Sequence, residues 1–130
     1  MPVRTSGPLY VGPHMRSDHR FGLLLSNLTG GIAQVQIVVY GAPLVGADDP
    51  SSWSIIVNRS VEVETGTVVP ITVPLSREYA YYQFFIKDEI FQPCFHVTLY
   101  LFHRHWHSRR NTLLIKGNEW EIVPNLPPQP

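Results

Sequence analysis

The stretch Ile32-Ala33-Gln34-Val35-Gln36-Ile37-Val38-Val39-Tyr40 decides the fold. Ala33, Val35, Ile37 and Val39 share one parity, while Gln34 and Gln36 occupy the other. Successive side chains of a strand point to opposite faces, so the alternation describes a strand with one face in a core. A helix would repeat its apolar residues every three or four positions, and no long window of this chain carries that stripe.

Working outward, the same grammar recurs. Upstream, Phe21 to Leu28 is apolar on both parities, as in a strand covered on both faces, and Thr29-Gly30-Gly31 turns the chain. Downstream, a long loop from Gly41 to Ser52 carries Pro43, Gly46 and Pro50. Trp53, Ile55 and Val57 predict one strand, and Val61 and Val63, alternating with Glu62 and Glu64, predict another. Thr67 to Val73 is β-branched but contains Pro70, which cannot donate to a ladder; an edge position or a bulge is expected. Tyr79 to Ile86 is nearly all aromatic or aliphatic and belongs at the centre of a sheet. Phe95, Val97, Leu99 and Leu101 alternate within Cys94 to Phe102. Leu113 to Lys116 and Glu119 to Val123 flank Gly117-Asn118, which reads as a two-residue hairpin turn.

About eight or nine short strands imply an all-β chain, a two-layer antiparallel β-sandwich. Jelly-roll-like connections are expected ahead of immunoglobulin-like ones, because the loops are unequal and few neighbouring strands form tight hairpins. The expected organisation is an extended N-terminal arm at 1–19, a β-sandwich domain at 20–123 and a proline-rich tail at 124–130.

The chain has 130 residues, 44% of them hydrophobic and only 15% charged, so it can enclose a core and keeps a largely neutral surface. Its formal net charge is zero, which gives no general attraction to nucleic acid or to anionic membrane. Arginine outnumbers lysine eight to two, a bias that suits buried or interfacial pairing. Cys94 is the sole cysteine and excludes an internal disulfide; a buried thiol is the expected state, with a cross-link between chains as the alternative. No classical signal peptide follows Met1, and no apolar stretch is long enough for a transmembrane helix. The expected location is cytoplasmic by default, or a cell, spore or particle surface after assembly. Asn27-Leu28-Thr29 and Asn58-Arg59-Ser60 match the glycosylation triplet but read as turn residues.

The sharpest local feature is Phe102-His103-Arg104-His105-Trp106-His107-Ser108-Arg109-Arg110. On a continuing strand His103, His105 and His107 share one face, a spacing that suits zinc or another divalent ion, with His96, Glu62 or Glu64 as a further ligand. The competing reading is an exposed, partly basic loop. A divalent metal here is the one cofactor the residues suggest; no other is expected. Asp48-Asp49 and Asp88-Glu89 read as solvated turns ahead of calcium ligands. Motifs for catalysis are absent, and no enzyme is expected.

The functional expectation is a structural subunit that assembles with copies of itself into a filament, surface appendage or shell. Leu9, Tyr10 and Val11 form the one strand-sized apolar word of the arm and would add a strand to another subunit's sheet. Tyr81, Tyr82, Trp106, Arg109 and Arg110 are the candidate interface residues; of the two tyrosines only one can face inward. The alternative is a metal- or ligand-binding module built on His103–His107. Carbohydrate on an aromatic row of Trp53, Tyr81, Tyr82 and Trp106 ranks below both, and nucleic acid on the arginines below that.

Overall fold

The computed structural model describes residues 3–11, 19–76, 78–88, 95–105, 108–115 and 119–126, with 19, 102–105 and 108–114 through their backbone. The strands are β1 (Val3–Thr5), β2 (Leu9–Tyr10), β3 (His19–Asn27), β4 (Ala33–Ala42), β5 (Ser54–Val63), β6 (Thr67–Pro74), β7 (Tyr81–Asp88), β8 (Phe95–His105), β9 (Ser108–Ile115) and β10 (Glu121–Val123). The one helical element among the described residues is a single 3-10 turn, Pro50–Ser52. No helix among them is long and apolar enough to cross a membrane.

Two antiparallel sheets pack face to face. The first runs β10-β1-β7-β4-β5, with β2 continuing along β7 beyond β1; the second runs β6-β3-β8-β9. The expected two-layer sandwich is therefore what forms. The links β1–β2, β4–β5 and β8–β9 stay within a sheet, while the chain crosses between sheets at β2–β3, β3–β4, β5–β6, β6–β7, β7–β8 and β9–β10.

The alternation of β4 does what its pattern requires. Ala33, Val35, Ile37 and Val39 are buried between the layers. They meet Phe21, Leu23 and Leu25 of β3, Tyr82, Phe84 and Ile86 of β7, and Val97, Leu99 and Leu101 of β8. Phe21 sits edge-on to Tyr82 and Phe84, with centroids 5.2 and 5.1 Å apart, the arrangement that ring quadrupoles favour. Pro70 lies on β6, at the edge of its sheet, and β7 is central, as their compositions require. The outer face of the first sheet carries a second buried cluster of Val3, Val38, Tyr40 and Phe85, covered by Trp53 of the long loop and by Leu126.

Three local expectations are corrected. Residues 54 to 63 form one ten-residue strand, β5, so Asn58-Arg59-Ser60 is exposed strand and not a turn. Asp88 is buried rather than solvated. The flanks of Gly117-Asn118 do not pair: β9 belongs to the second sheet and β10 to the first. Trp120 supplies the reason. Its indole is buried between the layers and its Nε1 donates to the Val97 carbonyl at 2.8 Å. Burying so large a ring outweighs closing one short turn.

Candidate functional site

The segment expected to be an arm is a strand of this chain's own first sheet. Val3 stands opposite Lys87 of β7 on one side and Val123 of β10 on the other. Thr5 faces Phe85 and Leu9 faces Tyr82, so the segment fits one more residue into this interval than β7 does. That is a β-bulge, and Gly7, at φ 69, supplies the left-handed backbone it needs. Ser6 holds the bulge to β7. Its N–H donates to the Phe84 carbonyl at 3.1 Å, and its hydroxyl accepts from the Phe84 N–H at 2.9 Å.

Arg4 fastens this strand between the layers. Its side chain is buried, with Nη1 4.0 Å from the Asp88 carboxylate and Nη2 donating to the Phe95 carbonyl at 3.3 Å. The guanidinium also lies 5.4 Å from the centre of the Phe95 ring. Burial lowers the Arg4 pKa from its ordinary value, and the charge of Asp88 opposes that shift. The arginine bias of the composition thus has one concrete use.

Leu9, Tyr10 and Val11 divide between the two faces. Leu9 packs against the core, Val11 is buried, and Tyr10 is 51% exposed. The Val11 N–H donates to the Ala80 carbonyl at 2.7 Å and extends the ladder. Tyr81, opposite Tyr10, turns outward with its ring 5.3 Å from that of Tyr10 and 6.5 Å from Trp53. Tyr82 turns inward and is wholly buried, which removes it from the candidate interface. Its hydroxyl accepts from the Ser76 N–H at 2.9 Å, and burial raises its pKa above 10.0.

The histidine segment is strand, not loop, through His105. His103 pairs with Arg110, Arg104 with Arg109 and His105 with Ser108, so β8 and β9 form a hairpin. Trp106 and His107 lie outside the described residues, as does Cys94. On its other flank His103 stands directly opposite His19 of β3, a partner that sequence spacing does not reveal. The signal that does exist is parity: His19 continues the series Leu25, Leu23, Phe21. The other expected ligands do not join this group. His96 is exposed on the opposite parity of β8, and Glu62 and Glu64 are exposed in or just after β5, in the other sheet. Among the residues whose side chains are described, no three of His, Cys, Asp or Glu are grouped to hold a metal.

One residue of each acidic pair has a structural use, Asp88 beside Arg4 and Asp49 in the long loop, while Glu89 lies outside the described residues. Asp49 caps the 3-10 turn, its Oδ1 accepting from the Ser51 N–H at 3.0 Å and hydroxyl at 2.9 Å, and these bonds lower its pKa. Asn27, the first residue of a glycosylation-type triplet, is buried with its side chain fully engaged. Its Nδ2 donates to the carbonyls of Gly31 and Val63 at 2.9 and 2.8 Å, and its Oδ1 accepts from the Thr29 N–H and hydroxyl at 2.9 and 2.6 Å. Compared with protein-family models, with curated proteins and with solved structures, this chain finds no match in any of the three.

Proposed function

We propose that this chain is a self-assembling structural subunit whose N-terminal strand, residues 3–11, is exchanged between copies to build a homopolymer. The observation that carries the reading is the placement of β1 and β2. They lie against β7 and β10, while β3, the next strand in sequence, belongs to the opposite sheet. An identical segment from a second copy would find the same register, the same bulge and the same buried site for Arg4. Exchange of an identical element creates an interface at little cost, because every contact already exists within one chain.

The surface supports association. Leu28, Ile32, Leu44, Val45 and Val68 are large apolar residues left exposed, on a chain of low charge. The aromatic row favours a sugar less. Tyr10 and Tyr81 meet at 80°, edge to face, and do not make the flat shelf on which a sugar ring stacks.

Tyr10 and Tyr81 are direct cross-strand partners, at a separation that a disulfide can bridge. Tyr10→Cys with Tyr81→Cys, in a Cys94→Ser background, should on oxidation at high concentration give a ladder of covalent multimers on a non-reducing gel. Electron microscopy of the same sample should show rings, shells or filaments. Cross-linking confined to single chains at every concentration would sink the exchange.

A further inference from the structure

We infer that the outer face of the first sheet is a binding groove for a polyproline II segment, and that its occupant is this chain's own Pro127-Pro128-Gln129-Pro130. Strand exchange is not required for it. The starting point is Leu126, three residues beyond β10, which packs on the outer cluster of Val3, Val38, Tyr40 and Phe85. Residues 127–130 lie outside the described residues, and they follow directly on a side chain already seated on this face.

The face is lined by rings. Phe85 and Tyr81 share the outward parity of β7, and Trp53 packs on the cluster at one side and lies 6.5 Å from Tyr81 at the other. Tyr10 continues the row, 5.3 Å beyond Tyr81. Tyr40 meets Phe85 at 77°, Trp53 meets Tyr81 at 49° and Tyr10 meets Tyr81 at 80°. Rings set at such angles leave clefts between them, and clefts between aromatic rings are what proline rings fill. Trp53 is held for this use, because its Nε1 donates to the Ala47 carbonyl at 2.8 Å.

The tail matches the row in period, length and chemistry. A polyproline II helix repeats every three residues, so Leu126-Pro127 and Gln129-Pro130 share one edge, a turn apart. With Leu126 on the cluster, that edge faces the rings. Residues 126 to 130 span about 12 Å in this conformation, against about 13 Å from Phe85 to Tyr81 along the strand. Proline offers a carbonyl acceptor and no backbone donor, and the phenols of Tyr10 and Tyr81 can donate. A tethered segment acts at an effective concentration of about millimolar, which favours the chain's own tail over one from another copy.

The test uses the full chain, by NMR at low protein concentration, and a blocked synthetic peptide of residues 124–130. Nuclear Overhauser contacts are expected within one chain from the Tyr10 and Tyr81 rings to Pro127 and Pro130. Pro127→Ala combined with Pro130→Ala should release the tail, and the peptide should bind this variant about tenfold more tightly than the parent. Its binding should shift the Trp53 indole N–H, and adding Tyr10→Ser or Tyr81→Ser should reverse the gain. Circular dichroism checks that each variant keeps its sheets, with Tyr81→Leu read by the same criterion where serine does not fold. Absence of the contacts overturns the groove, as does peptide binding that survives both tyrosine replacements. Equal affinity for parent and tail variant overturns the occupant. So do contacts found only between differently labelled copies, which would put a second copy's tail there.

Discussion

Arg4 and Asp88 form a charged pair that the layers of a sandwich would ordinarily exclude. Removing water from a guanidinium and a carboxylate is costly, and the partner charge, the bond to the Phe95 carbonyl and the Phe95 ring all help to offset it. Loss of one partner should therefore hurt more than loss of both. Arg4→Ala is expected to destabilise the fold by about 3–5 kcal/mol in denaturant unfolding, and Arg4→Met combined with Asp88→Leu should recover much of the loss. Equal damage from the single and double variants would contradict this account. A second prediction concerns Tyr82. Burial raises its pKa above 10.0, so the unfolded chain ionises first as pH climbs. The stability this confers is complete below pH 10.0 and is lost as pH rises towards the folded-state value. Thermal midpoints of Tyr82→Phe should fall less steeply above pH 10.0 than those of the parent, with Tyr40, raised by burial too, accounting for part of the remaining slope. At this scale the sequence is only half legible. Alternation requires one of Tyr81 and Tyr82 to face inward, but their strand is apolar on both parities, so nothing local selects which. Asp88 reads as a turn residue because its partner stands at the other end of the chain.

Strands were readable wherever one face is polar. β4 and the core half of β8 follow their alternation residue by residue, and Pro70 places β6 at an edge. The errors occur where a local signal competes with a distant one. Asn58-Arg59-Ser60 resembles a break because it is polar on both parities, yet β5 is an edge strand whose middle is exposed and needs no apolar face. Gly117-Asn118 itself lies outside the described residues, but the hairpin it suggests is overruled by the burial of Trp120. The turn at Thr29-Gly30-Gly31 is legible in its glycines, but the Asn27 side chain that organises it is not. Asn27→Ala would leave the Val63 carbonyl without its donor and the Thr29 N–H without its acceptor. A loss of about 1–3 kcal/mol is expected in denaturant unfolding. Asn27→Asp should be no better, since a carboxylate cannot donate to the two carbonyls. Stability within a few tenths of a kcal/mol of the parent would show that the loop reorganises freely.

At the scale of the whole molecule, composition and strand count indicated two layers, and two layers are present. The order of strands was not legible, because an alternating strand fits any position that offers it one apolar face. The same ambiguity conceals the place of residues 3–11. Three prolines and two glycines between positions 1 and 19 suggest a loose leader, whereas Val3 and Arg4 are inserted between β7 and β10. If that place is filled within one chain or between two, concentration decides the outcome during refolding. Dilution of denatured protein at low concentration should give predominantly single chains by size-exclusion chromatography, and dilution at high concentration should give multimers that persist when the sample is diluted again. Identical profiles at both concentrations would contradict strand exchange.

The pairing of Val3 with both Lys87 and Val123 has a consequence for biosynthesis. A ribosome makes β1 before any other described strand, but the two strands that flank it emerge late, β10 last of all. Until they do, the early strand has no berth on its own nascent polypeptide. A neighbouring ribosome further along the same message would offer it the β7 of another copy once that strand has emerged. If strands are exchanged as proposed, polysome spacing, more than the bulk concentration of released protein, would determine whether a newborn chain closes upon itself or is stitched to its neighbour.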